Sequence, residues 1–451
     1  MPELRLDAVS TVIIVSSARL PAARARHVLR SFRVPGFTRL FGVRLTAQFG
    51  DGVFQASLAG AVLFNPERQA HASDIAAGFV VLLLPYSLVG PFTGVLIDRF
   101  SRVRILVMAN FVRAAVVGVV AAEIAGGLHG QPFYASALVV LSISRFLLSA
   151  LAASLPHVVS AADLVTANAL TTTAGALATT AGGAAAIGVR ALIGASSHSY
   201  SSLALAAAGP YLVSALLALP FARDLLGPDE SERESRQSAA QVVQGLVAGA
   251  RHLRSRPPAL LALSAIGAQR LCYGLWAVSS VLLYRNYYRA DGPLRVGLSG
   301  LVQFVVALAI GGGLAALVTP SMSRRIGFSS WAALLLAASG AIEIGFGLPY
   351  LLPTQLACAL LLGFTAQGVK VCVDTTVQQH IDDEFRGRVF TFYDTLFNLA
   401  LVTAAVITAA ALPDSGRAPA AVITIGASYF VIAGVYFRLA AGRRSAGRRT
   451  T

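Results

Sequence analysis

Charged residues and lysine are scarce in this chain of 451 residues. Asp, Glu, Lys and Arg together make up 13% of it, whereas soluble domains carry roughly 25%. Only one of the 36 basic residues, Lys370, is a lysine, an imbalance that we attribute to a GC-rich coding sequence. Hydrophobic residues make up 56% of the chain, and its mean hydropathy is +0.69. This composition excludes an ordinary soluble domain and indicates a protein with many membrane spans.

Cysteine is also rare, and the motifs of several enzyme classes are missing. Cys272, Cys358 and Cys372 lie in apolar segments without a C-x-x-C or Cys/His spacing, so we expect neither a disulfide framework nor a metal site. The sequence has no G-x-x-x-x-G-K-[ST] loop, which excludes ATP-driven transport by this chain. It also has no H-E-x-x-H or G-x-S-x-G motif. We therefore predict that the protein is not an enzyme and uses no cofactor or metal.

The formal net charge of +15 raises the question of nucleic-acid binding. The arginines lie in short loops and in the two ends of the chain, and no compact basic module is present. Such a distribution favours contact with lipid headgroups. We therefore expect the lipid bilayer as a partner and no nucleic acid.

Apolar runs recur along the chain at the length that a membrane helix requires, which is about 20 residues. The sequence therefore predicts an all-α polytopic membrane protein. We expect about twelve spans, at residues 40–64, 73–97, 103–127, 132–156, 163–195, 200–222, 258–284, 296–319, 328–350, 353–379, 389–412 and 418–440. The fifth span is long and rich in glycine, so we expect part of it to be a loop.

The positions of the basic residues predict the orientation of these spans. With both termini inside, 25 of the 36 basic residues fall in cytoplasmic segments and five fall in outer loops, as the positive-inside rule requires. Residues 1–39 and 441–451 are then cytoplasmic tails. The polar segment 223–257, in which we expect an amphipathic helix, is a cytoplasmic linker. It separates an N-terminal six-helix bundle at 40–222 from a C-terminal one at 258–440.

A charge-dense turn between the second and third spans carries the clearest motif. It reads Gly94-Val-Leu-Ile-Asp98-Arg99-Phe-Ser-Arg102-Val-Arg104. The pattern G-x-L-x-D-R-x-x-R-x-R resembles the loop between the second and third helices of the major facilitator superfamily. This resemblance implies a secondary transporter with two six-helix bundles that works by alternating access.

A second motif begins the eleventh span. Residues 383–389 read Asp-Glu-Phe-Arg-Gly-Arg-Val, the pattern D-x-x-R-G-R-V. Together with the junction at 155–170, this motif resembles the branch of the superfamily that includes macrolide and siderophore exporters. The resemblance covers about residues 40–440, and it implies efflux of small amphipathic compounds of the kind that underlies multidrug resistance.

The two motifs together predict a conformational latch. A helix N-terminus carries unpaired N–H groups and partial positive charge, so Asp98 placed there would hold the outward-open state. The residues that we assign to this latch are Gly94, Asp98, Arg99, Arg102, Arg386, Gly387 and Arg388. Arginines of the turn are expected to anchor to headgroups or acids. The alternative is a solvated turn that only follows the positive-inside rule.

Polar residues inside the first span predict a transport pathway, because ionisable groups in a membrane usually face a cavity or a partner. Arg44, Gln48, Asp51 and Gln55 stand at i, i+4, i+7 and i+11, on one face of a helix. We predict that this stripe lies in the substrate or proton pathway, with Asp51 as the proton carrier. The alternative is that Asp51 forms a permanent ion pair with a basic neighbour.

Two arginines are candidates for interaction with Asp51. The resemblance to proton-coupled exporters implies an arginine in the fourth helix, and Arg145 occupies that span. Arg113 in the third span is instead expected to reach the cytoplasmic interface.

The second half of the chain offers another set of polar residues for this pathway. Lys370 and Asp374 stand at i and i+4 in the tenth span and can neutralise each other. The other predicted members are Gln269, Tyr273, Asp394 and Asn398. Arg270 and Glu343 have no partner that the sequence reveals, and we expect structural roles for both.

These features predict a proton-coupled antiporter that exports small molecules, acts as a monomer and lies in the plasma membrane. The glycine-rich segment 175–188 is similar to the antiporter motif of exporters but lacks its proline, and helix packing also explains it. The alternatives are uptake of a metabolite, lipid flipping, or a scaffold or sensor that does not transport. The substrate is not encoded in these motifs, because its recognition depends on side-chain positions in three dimensions.

Overall fold

The structure is a computed structural model, and it describes residues 35–63, 77–78, 80–81, 97, 99–128, 130–160, 163–194, 196–222, 225–228, 239–288 and 297–447. Within these ranges the chain is helical and contains no strand. Helices suit this sequence because a helix satisfies all of its backbone hydrogen bonds within one segment, as a hydrocarbon environment requires.

The helices fall on both sides of the polar segment 223–257. Before it, the chain forms α1 (Pro35–Leu63), α2 (Arg102–Ala125), α3 (Gln131–Ser154), α4 (Leu164–Ile193), α5 (Ser197–Ala206) and α6 (Ala208–Ala218). Within and after it, the chain forms α7 (Ala239–Ser255), α8 (Pro257–Leu282), α9 (Gly297–Ile326), α10 (Phe328–Gly347), α11 (Leu352–His380), α12 (Asp383–Ala411) and α13 (Pro419–Gly447). A 3-10 turn at Leu155–His157 extends α3, and a π-helical turn at Leu283–Tyr287 extends α8.

The observed helices coincide with the predicted spans throughout the described ranges. Ten stretches of the described residues are long and apolar enough to cross a bilayer. Helix α1 has 29 residues, which is also enough to span. The predicted second span at 73–97 lies almost entirely outside the described residues. The chain is therefore a multi-pass membrane protein.

The structure corrects one detail of the predicted spans. The fifth span forms the continuous helix α4 of 30 residues, with no loop inside it. The sixth span is found at Ser197–Ala218, where α5 and α6 follow one another and Ala207 between them keeps a helical backbone. The helix expected in the polar segment is present as α7.

The chain divides into two compact units. The first lies within residues 1–58, 93–129 and 142–237, and the second within 59–92, 130–141 and 238–451. The first unit thus includes most of α1, all of α2, the later part of α3, and α4 to α6. The second unit includes the helices from α7 onward.

Glycines allow α1 and α4 to approach closely within the first unit. A Cβ on Gly52 would lie 1.9 Å from the carbonyl oxygen of Thr179, and a Cβ on Gly182 would lie 2.1 Å from that of Phe49. No side chain fits at these distances, so glycine is required where the two backbones meet. Small residues at helix contacts are typical of membrane proteins. The glycine content of the fifth span therefore has a packing role.

The second unit contains an equivalent contact between α9 and α11. A Cβ on Gly311 would lie 1.8 Å from the carbonyl oxygen of Leu360, and one on Gly363 would lie 2.2 Å from that of Leu308. The hydrophobic core of this unit is formed mainly by α8, α10, α11, α12 and α13. Large apolar side chains such as Leu317 are exposed, as expected for surfaces that contact lipid.

Candidate functional site

A buried carboxylate midway along α1 is the centre of a polar network in the first unit. Asp51 is only 4% exposed. Its Oδ1 accepts hydrogen bonds from Arg113 Nη1 at 2.8 Å, from the Ser144 hydroxyl at 2.7 Å and from the Tyr211 hydroxyl at 2.9 Å. Because these donors belong to α2, α3 and α6, the carboxylate connects four helices. Its second oxygen, Oδ2, accepts no hydrogen bond from any residue that the structure describes.

The guanidinium of Arg113 is completely buried and faces several partners at once. Besides Asp51, Nη1 donates to the Ser144 hydroxyl at 2.9 Å, and Nη2 donates to Asn110 Oδ1. The guanidinium carbon lies 3.9 Å from the centre of the Tyr211 ring, which is a cation–π contact. The ion pair is therefore enclosed by polar groups on one side and by an aromatic face on the other.

The network extends from Asn110 back to the α1 backbone. Asn110 Nδ2 donates to the Ser214 hydroxyl at 3.1 Å, and this hydroxyl donates to the carbonyl oxygen of Val43 at 2.9 Å. Gly50 leaves room for the Tyr211 ring, because a Cβ at position 50 would lie 2.7 Å from a ring carbon. A buried network that links several helices in this way favours one arrangement of those helices.

The structure identifies a different partner for Asp51 than the sequence predicts. The expectation that Arg113 reaches the cytoplasmic interface is wrong, because its guanidinium is buried against Asp51. Arg145 is half-buried and makes no ion pair with Asp51. Neighbouring residues on a helix point about 100° apart, so Ser144 faces the carboxylate and Arg145 does not.

The rest of the α1 stripe lies beside this network. Arg44 Nε donates to Gln48 Oε1 at 3.0 Å, and Gln48 Nε2 makes a long contact of 3.5 Å with the Thr179 hydroxyl of α4. Gln48 is buried and Gln55 is half-buried. The structure therefore places Gln48 and Asp51 in the interior of the first unit.

In the second unit, the predicted pair on α11 is present. Lys370 Nζ donates to Asp374 Oδ2 at 2.6 Å, and Lys370 also lies 5.8 Å from the centre of the Tyr393 ring of α12. Asp394 is exposed, and Asn398 donates to its main-chain carbonyl oxygen at 2.8 Å. The Asn398 amide thus binds its own helix rather than a neighbouring one.

The predicted residues of α8 lie close to a buried arginine. Gln269 is buried, and its Oε1 has no hydrogen-bond partner among the described residues. Tyr273 is half-buried, with its ring 5.6 Å from the ring of Trp276. The guanidinium of Arg270 lies 5.1 Å from the Tyr273 ring and 4.0 Å from the Phe397 ring.

The structure describes only part of the predicted latch. Gly94 and Asp98 lie outside the described residues, and Arg386 and Gly387 are described only as part of the α12 backbone. Arg99 is exposed. The latch therefore stays a prediction.

Arg102 has a different environment from the one that the sequence predicts. It is buried, which differs from the expected contact with headgroups, and its Nη1 donates to the carbonyl oxygens of Ala153 at 3.0 Å and Leu226 at 3.1 Å. The same nitrogen lies 3.3 Å from His157 Nδ1. Arg102 thus holds the start of α2 to the end of α3.

The start of α12 contacts α7 through groups that the sequence does not single out. Arg256 Nη2 lies 2.8 and 2.6 Å from the two carboxylate oxygens of Asp382, and His252 Nε2 lies 3.5 Å from the same carboxylate. The His252 ring stacks on Phe385 at 4.3 Å. Arg388 is exposed and lies against Gly249 of α7.

Ser144, Tyr211 and Asn110 are the functional candidates that sequence reasoning misses. Each is a polar residue in an apolar span, which is a weak signal because most such residues bind their own helix. Ser149, for example, donates to the carbonyl oxygen of Arg145 one turn earlier. A stronger signal is the spacing of Asn110 and Arg113, which places both on one face of α2.

No group of three or more His, Cys, Asp or Glu residues that could hold a metal ion occurs in the described part of the chain. The ion pair that the alternative interpretation of Asp51 expects is present, and Oδ2 of the carboxylate has no donor among the described residues.

Comparison with known proteins agrees with this architecture. Relatives found by sequence include an uncharacterized MFS-type transporter of Mycobacterium tuberculosis (strain ATCC 25618 / H37Rv), 38% identical over 434 residues, or 96% of this chain and 97% of that protein. A counterpart from Mycobacterium bovis (strain ATCC BAA-935 / AF2122/97) has the same identity and coverage.

Solved structures with low sequence identity share the fold. The nucleoside transporter NupG has a TM-score of 0.65 at 11% identity, covering 89% of this chain and 98% of that one. A peptide transporter POT in complex with sulfate has a TM-score of 0.65 at 13% identity, covering 90% and 94%. The predicted all-α membrane fold is thereby confirmed. The family model described as Major Facilitator Superfamily matches residues 40–405, and the chain belongs to that superfamily of transporters.

Proposed function

We propose that this protein is a proton-coupled antiporter that exports small amphipathic compounds by alternating access. In this proposal it acts as a monomer in the plasma membrane, with both termini in the cytoplasm. The observation that supports it most directly is the buried pair of Asp51 and Arg113, with Ser144 and Tyr211 bound to the same carboxylate oxygen.

Protonation of Asp51 would change the balance of charge in this network. Oδ2 accepts no hydrogen bond from a described residue, so a proton can bind there while the three donors stay on Oδ1. The neutral carboxyl would then leave Arg113 buried without its counter-charge, and breaking a buried pair costs about 3–5 kcal/mol. The arrangement of α1, α2, α3 and α6 would therefore depend on whether Asp51 carries a proton.

The remaining polar residues supply the proposed substrate pathway. In the first unit they are Gln48, Gln55 and Arg145, and in the second they are Gln269, Tyr273, Lys370, Asp374, Asp394 and Asn398. Amide and charged groups would orient a substrate, while the rings of Tyr273 and Trp276 would contact its apolar part.

The direction of transport is supported by one sequence feature. The D-x-x-R-G-R-V motif at the start of α12 resembles the exporter branch, and we propose that it receives Asp98 in the latch. Structures of nucleoside and peptide transporters share only the fold with this chain, so those two substrate classes belong in a test panel.

The test is a flux measurement in reconstituted vesicles. Purified protein is placed in vesicles with an imposed pH gradient, and proton release is followed when antibiotics, dyes, siderophores, nucleosides or dipeptides are added. Asp51→Asn is compared with the wild type and with Asp414→Asn, which alters an exposed acid far along the chain from the Asp51 network.

We expect proton release with the wild type and with Asp414→Asn, and no proton release with Asp51→Asn. Release that survives in Asp51→Asn would move the proton site elsewhere, with Asp374 and Asp394 as the next acids. No response to any compound would favour metabolite uptake, lipid flipping or a scaffold. Movement of a compound in the same direction as the released protons would indicate symport and would contradict the proposed antiport.

A further inference from the structure

Arg270 is a buried cation without an anionic partner in the described part of the chain. It lies halfway along α8 and is 8% exposed. No hydrogen bond or ion pair joins it to a described residue, and its Nε is completely buried without a partner. An arginine stays protonated in proteins, so it keeps its full charge at this position.

Aromatic rings enclose this guanidinium. Its central carbon lies 4.0 Å from the centre of the Phe397 ring on α12 and 5.1 Å from that of Tyr273 on α8. These cation–π contacts offset part of the cost of burying the charge, but they use none of its five N–H donors. These donors thus have no hydrogen-bond acceptor among the described residues.

An acid near this guanidinium is already paired with another cation. Asp374 is close enough to Arg270 to act on it electrostatically, yet its Oδ2 binds Lys370 Nζ at 2.6 Å. Lys370 and Asp374 are 35% and 26% exposed at their side chains, so they form the accessible edge of the cluster. Asp394 follows Tyr393 on α12 but is exposed and points about 100° away from it. The cluster of Arg270, Lys370 and Asp374 therefore has one positive charge in excess.

An uncompensated charge in a membrane span is costly, and such residues usually mark a substrate pathway. We infer that Arg270 binds the carboxylate of an amphipathic organic anion, whose apolar part contacts Tyr273, Phe397 and Trp276. Two parallel N–H···O hydrogen bonds from a guanidinium match a carboxylate well. The aromatic surroundings favour an organic anion over a strongly hydrated inorganic one. This inference rests on the proposed transport function and specifies its substrate class.

Binding at equilibrium tests this inference without any proton gradient. The probes are dansylglycine, a fluorescent carboxylate with an aromatic group, and dansylglycinamide, its neutral counterpart. Each is titrated into the purified full-length protein in detergent, with empty micelles as the blank. Sodium chloride and sodium phosphate are added as competitors in separate arms.

Four variants make the test specific. Arg270→Gln removes the positive charge. Arg270→Lys keeps the charge but lacks the planar guanidinium that can form two parallel hydrogen bonds. Asp374→Asn removes the neighbouring negative charge. Arg324→Gln, at the exposed end of α9, is the matched control for loss of one positive charge elsewhere. Size-exclusion chromatography establishes that each variant is folded.

The expected result is that the wild type prefers the carboxylate probe. Arg270→Gln should weaken its binding about tenfold or more, since a hydrogen bond to a charged group is lost. Arg270→Lys should keep part of the preference, Asp374→Asn should tighten binding, and Arg324→Gln should change nothing. Chloride or phosphate should compete only weakly.

Equal binding of both probes by the wild type would overturn the inference. The inference would also be overturned if the single variants Asp374→Asn and Arg270→Gln both bind the carboxylate probe as the wild type does. If Arg270→Gln does not fold, binding by Asp374→Asn alone decides the question. Strong competition by chloride or phosphate would replace the organic anion by an inorganic one. Carboxylate binding that depends on Arg270, with no proton release in vesicles, would contradict proton coupling while leaving the anion site intact.

Discussion

At the scale of single residues, the clearest finding is that Asp51 and Arg113 form a buried ion pair. Each of them has a hydrogen bond to the Ser144 hydroxyl, and each contacts Tyr211 through its hydroxyl or its ring. A buried pair of this kind adds little net stability, but loss of one partner is severe because the other charge stays buried. Loss of either charge is therefore expected to disturb the packing of the four helices around Asp51.

A double-mutant cycle tests how strongly the two charges depend on each other. Arg113→Gln leaves Asp51 without its cation, and we expect a loss of about 3–5 kcal/mol of stability. Adding Asp51→Asn should recover part of this loss, because the unpaired charge is then gone. Thermal unfolding of the purified proteins, followed by intrinsic fluorescence in detergent, measures both effects. If the losses of Arg113→Gln and Asp51→Asn, each measured alone, add up to the loss of the double variant, the two charges are not coupled.

At the scale of helices, close contacts at glycine determine which helices pack together. Gly182 on α4 meets the backbone of α1, and Gly311 on α9 meets that of α11, both at distances that exclude a Cβ. Other glycines on the same helices have open space around them. At Gly188 on α4 and Gly313 on α9, no atom outside the neighbouring part of the same helix lies within 4 Å of the position where a Cβ would be.

These glycines provide matched pairs for an experiment on packing. Gly182→Ala and Gly311→Ala should each cost about 1–3 kcal/mol, because the backbones must move apart. Gly188→Ala and Gly313→Ala should leave stability unchanged or raise it by up to about 1 kcal/mol, since alanine favours a helix. Thermal unfolding in the same detergent gives all four values. Similar losses within a pair would mean that the close contacts do not determine stability.

Arg102 has a role in helix packing besides the role that its motif implies. The resemblance places it in a loop that latches two bundles, and the structure shows it bound to main-chain carbonyl oxygens at the end of α3 and between α6 and α7. Its neighbour Arg99 is exposed. We therefore expect the two arginines of one loop to serve different purposes, one in packing and one at the membrane surface.

At the scale of the whole molecule, the proposal is that a proton and a substrate bind in turn while the two bundles alternate in access. Family membership shows that the chain is a transporter of the major facilitator type. The order of events and the direction are proposals that depend on the Asp51 network and on the latch.

The latch can be tested with one substitution. Asp98→Asn should reduce transport several-fold while the protein still reaches the membrane, because a neutral side chain attracts the α12 N-terminus less strongly. Flux in vesicles measures transport, and immunoblotting of membranes measures the amount of protein. Flux at the wild-type rate in Asp98→Asn would eliminate the latch and leave a solvated turn.

The membrane class, most of the helix positions and the family could be predicted from the sequence. Hydropathy and the G-x-L-x-D-R-x-x-R-x-R motif are local properties of the chain, so they can be recognised without knowing which helices meet. The ion pair of Lys370 and Asp374 was predictable for the same reason, because i and i+4 are neighbours on any helix.

The partner of Asp51 was decided only by the tertiary structure. Arg113 and Arg145 are both arginines in apolar spans, and no local feature tells which of them meets Asp51. Which arginine meets Asp51 depends on the rotation and depth of α2 and α3 relative to α1. A shift by one residue along a helix turns a side chain by about 100° and moves it by about 1.5 Å. That Arg270 has no ion pair among the described residues depends on the same variables. The sequence by itself thus determined which segments enter the membrane, and packing of those segments decided which charges meet.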